Sequence, residues 1–199
     1  MSQSPTHEVR AVFTDETITV YQAYAASIAD PALEAGTFVD PFKRGRMTWI
    51  KPSFLWMMYR CGWGAKPGQE RVLAIDITRR GFEWALSHSC PSHFDRSRFA
   101  TGAKWRAALK SSPVRVQWDP ERDLGLNPLP HRAIQIGLSG PAVELYVDEW
   151  ITGVRDVTAL AREVRGTVAD GDLGAARALL PPERVYPLPA EVAERVGAH

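Results

Sequence analysis

The chain has 199 residues, 45% of them hydrophobic and 24% charged, which are ordinary proportions for one folded domain and exclude a disordered, collagen-like or coiled-coil chain. Its 24 Lys and Arg balance 23 Asp and Glu for a net charge of +1, so bulk charge favours neither a nucleic-acid nor a membrane partner. No apolar run approaches the ~20 residues that span a bilayer, and Met1 to Arg10 lacks the basic-then-apolar order of a signal peptide, which predicts a cytoplasmic protein with no membrane partner.

Val9 to Phe13 reads as a first strand, ended by Asp15. Thr17 to Ala29 then has helical spacing, with Asp15 as N-cap and Ile18, Tyr21 and Ala25 on one face. Arg46 to Ile50 is a short strand, and Pro52 suits the first residue of a helix running to about Cys61, followed by a turn at Gly62 to Gly64. Arg71 to Ile77 is the clearest strand of the chain. From Thr78 or Arg79 a helix carries Phe82, Trp84, Ala85 and Leu86, and His88 to Ser92 breaks it.

Val114 to Trp118 and Arg132 to Gly137 alternate apolar and polar residues as half-buried strands do, with turn chemistry between them at Asp119 to Asp123. A short helix from Ala142 to Val147, a last strand near Trp150 to Thr152 and an amphipathic helix from Val157 to Val168 follow. From Asp170 on, a short helix and a Pro-rich tail pack across the surface. Strand and helix patterns interleave, so the expected architecture is a single α+β domain over 1–199, its sheet split, mixed and antiparallel, with helices on its flanks.

The neutral total conceals segregation. Residues 1–40 hold one basic side chain, Arg10, against six acids, whereas 41–69 hold six basic ones, Lys43, Arg44, Arg46, Lys51, Arg60 and Lys66, and no acid. A second acid-free run, Arg96 to Trp118, carries Arg96, Arg98, Lys104, Arg106, Lys110 and Arg115 interleaved with Phe99, Trp105 and Trp118. Cations mixed with aromatics suit a phosphate-bearing ligand, either a dinucleotide or a nucleic-acid strand. A solvated face is the plainer reading of the second run. In the first, the cations flank a helix N-terminus whose N–H groups favour an anion, Lys51 and Ser53 among them.

Other clusters are weaker. His88, Cys90 and His93 lack a fourth ligand, so no metal is expected, and Cys61 and Cys90 read as packing thiols rather than a disulfide. Asp119, Glu121 and Asp123, separated by Pro120 and Arg122, look like a self-paired turn. Trp56 reads as core. Neither G-x-G-x-x-G nor a P-loop is present. Asp148-Glu149, beside Trp150 and Ile151, puts a carboxylate next to apolar surface, where desolvation perturbs its proton affinity.

The strings Arg46 to Arg60, Val20 to Tyr24, Val72 to Ile77, Val114 to Arg122 and Arg132 to Gly137 closely resemble the domain-of-unknown-function 4291 family over nearly the whole chain. A more distant resemblance is to the ADP-ribosyltransferase superfamily, particularly its DNA-modifying toxins, through Arg46 to Tyr59, Val72 to Trp84 and Tyr146 to Ile151. That resemblance implies an NAD-dependent transferase in which Glu149 is the catalytic acid, stabilising the oxocarbenium-like state through the ribose hydroxyl. It further implies that Arg10 holds the NAD ribose or phosphates, that Arg46, Lys51 and Ser53 hold the pyrophosphate beside Thr48, and that Trp49 or Tyr59 stacks on nicotinamide. The alternative is a non-catalytic nucleic-acid-binding module using 41–69 and 96–118. The two readings part at Glu149, which a transferase needs in a cleft beside Arg10 and Arg46.

Overall fold

The computed structural model describes residues 7–199, and its elements are set by which faces the strands must bury. A short β1 (Arg10–Ala11) leads to β2 (Thr17–Tyr24), helix α1 (Ala26–Ala35) and β3 (Thr48–Ile50). After α2 (Phe54–Cys61) come β4 (Arg71–Thr78), α3 (Arg79–Ser87), β5 (Ser89–Pro91) and α4 (Gly102–Ser111). The long hairpin β6 (Val114–Arg122) and β7 (Pro128–Leu138) precedes α5 (Pro141–Leu145), a π-helical turn at Tyr146–Trp150 and β8 (Ile151–Asp156). The chain closes with α6 (Thr158–Ala169), α7 (Leu173–Leu179), β9 (Arg184–Val185) and α8 (Ala190–Val196).

Two sheets result. One is antiparallel in the order β2-β4-β8, and the other is mixed in the order β3-β7-β6-β5, with β5 parallel to β6. β9 pairs with β1 in a small third ladder. This is one α+β domain with a split sheet. The main core lies between the inner faces, where Ile18, Val20, Leu73, Ile75 and Ile77 meet Val114, Val116, Ile134, Ile136 and Leu138. A second core forms on the far side of the three-stranded sheet, from Tyr21, Val72 and Ala74 against Phe54, Met57, Met58, Ala161 and Val164. Each large side chain buried this way contributes about 1.5–3 kcal/mol. Among the described residues no helix is long and apolar enough to cross a membrane.

Those two cores explain the main correction to the sequence reading. Thr17 to Tyr24 is a strand rather than the first half of a helix, and the helix starts at Ala26. β2 is buried on both faces, so it shows no alternation, and its apolar residues fit a helical spacing by accident. The β-branched Thr17, Ile18, Thr19 and Val20 were the local strand signal.

Smaller corrections share a cause in tertiary pairing. The first strand shrinks to Arg10–Ala11, and Asp15 sits before β2 rather than capping a helix. The third begins at Thr48. α2 starts at Phe54 rather than Pro52, capped by Ser53, whose hydroxyl accepts the Trp56 N–H. β6 runs through Pro120 to Arg122 with a shift in register, and the turn is at Asp123 to Asn127, where the Asp123 carboxylate takes the Asn127 N–H. Ser89–Pro91 forms a strand inside the expected break, and α4 was unforeseen. The helix at 142–147 stops at Leu145 and passes into the π-helical turn, so the strand expected near Trp150 to Thr152 is Ile151–Asp156, and a further short strand, β9, follows in the tail. The tail enters the main core through Tyr186, Val192 and Val196 instead of lying on the surface.

Candidate functional site

The sheets part at β3. Its first three residues pair with β7, and then Lys51 turns to β2, its carbonyl accepting the Tyr21 N–H at 2.7 Å. A cleft opens at this split, in two adjoining cavities. One of about 250 Å³ is lined by Gln22, Tyr24, Thr48, Trp49, Lys51 and Arg60 among others. Its neighbour, about 150 Å³, adds Lys43 and Arg46 and shares Tyr24, Met47 and Thr48. Four cations of the acid-free stretch 41–69 therefore line one cleft.

Its floor is a buried polar network. The Gln22 carboxamide donates to Thr48 Oγ1 at 2.6 Å and to the Tyr24 hydroxyl at 2.8 Å, and it accepts from the Tyr146 hydroxyl at 2.7 Å. Tyr24 and Thr48 are themselves 3.0 Å apart. Burial pushes the Tyr24 hydroxyl up to about 12 and raises that of Tyr146, so both stay protonated donors. Such a network is costly to bury and gains rigidity only when every member is satisfied, as here.

Lys51 is the least ordinary group of the cleft. It is 6% exposed. Its ammonium donates to the Trp49 carbonyl at 2.9 Å and lies 5.7 Å from the Trp56 ring. Desolvation, with the charge of Arg60 as a second cause, lowers its proton affinity to a pKa of about 7. The amine is thus poised between charged and neutral at physiological pH. Trp49 lies over the backbone of Gly137 on β7, where an added Cβ would stand 2.9 Å from the indole, so the absence of a side chain at Gly137 fixes how the ring rests on the sheet.

Of the residues expected from sequence, Arg46, Thr48, Trp49 and Lys51 come together in this cleft. Ser53 does not. Its hydroxyl donates to Glu121, a buried carboxylate on β6. The Phe54 N–H, at the helix N-terminus expected to favour an anion, donates instead to Glu183 at 2.7 Å. Desolvation, then the neighbouring charge of Glu121, raises Glu183 to about 8, and burial raises Glu121 as well. The N-terminus of α2 is thus satisfied by the chain's own acids. Arg10 bonds Glu8 at 3.0 Å and acts electrostatically on both Glu121 and Glu183. The self-paired turn expected of Asp119, Glu121 and Asp123 is not formed, because Glu121 turns inward.

Tyr59, 42% exposed, stacks under the Arg122 guanidinium at 3.6 Å. Glu149 is exposed and lines a different cavity of about 360 Å³ with Arg80, Trp84 and Trp150, sharing no residue with the cleft. That cavity takes Thr78 from the end of β4 that pairs with Thr17, whereas the cleft takes Gln22 to Tyr24 from the opposite end of β2. Sequence reasoning missed Gln22, Tyr24 and Tyr146. A glutamine inside an otherwise apolar run, Val20 to Ala23, was the available signal. Among the described residues no group of three or more His, Cys, Asp or Glu is placed to hold a metal ion.

The family described as Domain of unknown function (DUF4291) matches residues 8–186 of the chain. No curated protein matches the chain.

Proposed function

The chain belongs to the DUF4291 family, and on that premise we propose that it binds NAD in the cleft at the sheet split and uses it as an ADP-ribose donor. The observation that carries this reading is a fully bonded buried network, Gln22-Tyr24-Thr48-Tyr146, forming the floor of a cleft with cations in both of its halves. A dinucleotide has two phosphates and two planar rings. Lys43 and Arg46 in one half, and Lys51 and Arg60 in the other, suit the phosphates, and Trp49 offers a face for a ring. The Tyr24 and Thr48 hydroxyls, held in place by the Gln22 carboxamide, suit ribose hydroxyls. In the transfer, the nicotinamide–ribose bond breaks with oxocarbenium character, and alignment of the sugar is the contribution these groups make.

Glu149 has no part in this proposal, because its cavity is separate. The test is NAD consumption and NAD affinity in wild type, Glu149→Gln and Arg46→Gln. Both substituted side chains are exposed, so neither change threatens the fold. Arg46→Gln is expected to weaken NAD binding about tenfold or more, the scale of one hydrogen bond to a charged group. Glu149→Gln should leave affinity and turnover within about twofold, as exposed substitutions do. A loss of about 10²–10³ in turnover on Glu149→Gln would return the reaction to Glu149 and overturn the cleft as its seat.

A further inference from the structure

Away from the cleft, a cavity of about 520 Å³ lies between the loop after β5, the middle of β6 and the end of α8. Its aromatic lining includes Phe94, which is 39% exposed, and Trp118, whose Nε1 donates to the Val196 carbonyl and whose ring stacks with His7 at 4.9 Å. Its polar lining includes Gln117, whose carboxamide accepts from Ser92 Oγ at 3.1 Å and donates to Asp119 at 2.8 Å. Three acids also line it. Asp119 is covered by the Gln117 and Gln135 amides, Asp95 by the backbone and hydroxyl of Ser97, and Glu194 is exposed.

Beside this cavity stands α4, and the two are tied together: Trp105 Nε1 donates to the Pro91 carbonyl at 2.9 Å, and the Trp105 ring lies 6.1 Å from Phe94. No residue of α4 is buried. Ala103, Arg106, Ala107 and Lys110 recur at the spacing of one helix face, with Lys104 beside it, and all five are exposed. Among the described residues Arg96, Lys104, Arg106 and Lys110 form no ion pair. Small alanines between the cations leave room for a chain of phosphates to approach the helix.

We propose that the cavity and α4 together bind single-stranded nucleic acid, an unstacked base entering the cavity against Phe94 and Trp118 while the backbone phosphates run along α4. The chemistry calls for single strands. Only unstacked bases expose the faces that aromatic side chains bind, and the amide of Gln117 in the cavity lining suits a base edge better than a phosphate. The phosphates account for the cations, and the aromatic lining accounts for what a duplex or an anionic lipid surface would leave unused.

The test is fluorescence anisotropy of a labelled, mixed-sequence oligonucleotide of about 12 nucleotides, as DNA and as RNA, with the full chain across a salt series. Duplex of the same sequence and vesicles containing phosphatidylserine serve as comparisons. The expected result is binding to single strands in preference to both. Replacing Lys104, Arg106 and Lys110 by Gln should lower affinity about tenfold or more and reduce the salt slope by roughly two, since each phosphate contact contributes ~0.7. Phe94→Ala should lower affinity about fivefold or more with the slope unchanged. All four side chains are exposed, and unchanged thermal unfolding confirms that the variants are folded. Absence of single-strand binding, equal binding to duplex or vesicles, or an affinity indifferent to Phe94→Ala overturns the proposal.

Discussion

Lys51→Met is expected to stabilise the protein at neutral pH and to abolish the rise in stability that wild type shows on the alkaline side. The unfolded lysine titrates near 10.5 and the folded one near 7. Between those values the unfolded chain carries a proton that the native chain lacks, so wild-type stability climbs with pH, by up to ~1.4 kcal/mol per unit. Glu183 has the opposite sign. Its ordinary value is 4.5 and its native value about 8, so across that interval the native state holds a proton that the unfolded state has lost, and stability falls as pH rises. The two contributions meet in a shallow minimum between pH 7 and 8. Urea midpoints measured from pH 5 to 10 should show the alkaline limb vanish in Lys51→Met and the acid limb flatten in Glu183→Gln. Parallel curves for wild type and Lys51→Met would mean that Lys51 is charged and solvated in the native state.

Gly81→Ala is expected to cost at least about 3 kcal/mol, the upper end of the usual overpacking range. Gly81 lies in the first turn of α3, its N–H bonded to the cap Thr78. An added Cβ would fall 2.4 Å from Trp150 Cγ and within 2.7 Å of two further ring carbons. The indole is 6% exposed and packs against Trp84 with ring centres 5.4 Å apart, so it has little freedom to withdraw. Urea denaturation reads the loss directly, and the cycle with Trp150→Leu isolates it. If the cause is the contact itself, Gly81→Ala should be far milder in the Trp150→Leu background. Equal costs in both backgrounds would point to the helix backbone instead.

What the sequence made legible follows from how local each signal is. β4 and α3 were readable because Arg71 to Thr78 is β-branched and bounded, and because Phe82, Ala85 and Leu86 mark one apolar face ending in a cap. The cationic wall of the cleft was readable as well, since an acid-free stretch is a property of composition. β2 was not, because a strand with both faces buried lacks the alternation that distinguishes it from a helix. The β6 extension was hidden by Pro120, which breaks a strand unless a shift in register accommodates it.

The site shows the same division. Arg46, Thr48, Trp49 and Lys51 share one short segment, so a reading of that segment names all four together. Gln22 and Tyr146 meet across 124 residues of chain, and only the folded sheet brings them together. Glu183 was invisible for the same reason: it reaches the Phe54 N–H across 129 residues, from a tail that composition marked as peripheral. Glu149 illustrates the converse error, since adjacency to Trp150 in sequence suggested burial that the π-helical turn does not give it.

The central claim is that phosphates of a dinucleotide seat on Lys51 in the cleft at the sheet split. A phosphate beside a nearly neutral, buried amine favours its charged form, so binding above pH 7 must draw a proton onto Lys51. Calorimetric titration of NAD at pH 8, repeated in two buffers of different ionisation enthalpy, reads that proton directly. The prediction is uptake approaching one proton per NAD by wild type, with none in the Lys51→Met protein and weaker binding there. Absence of NAD binding, or binding with the same proton uptake in both proteins, would contradict it.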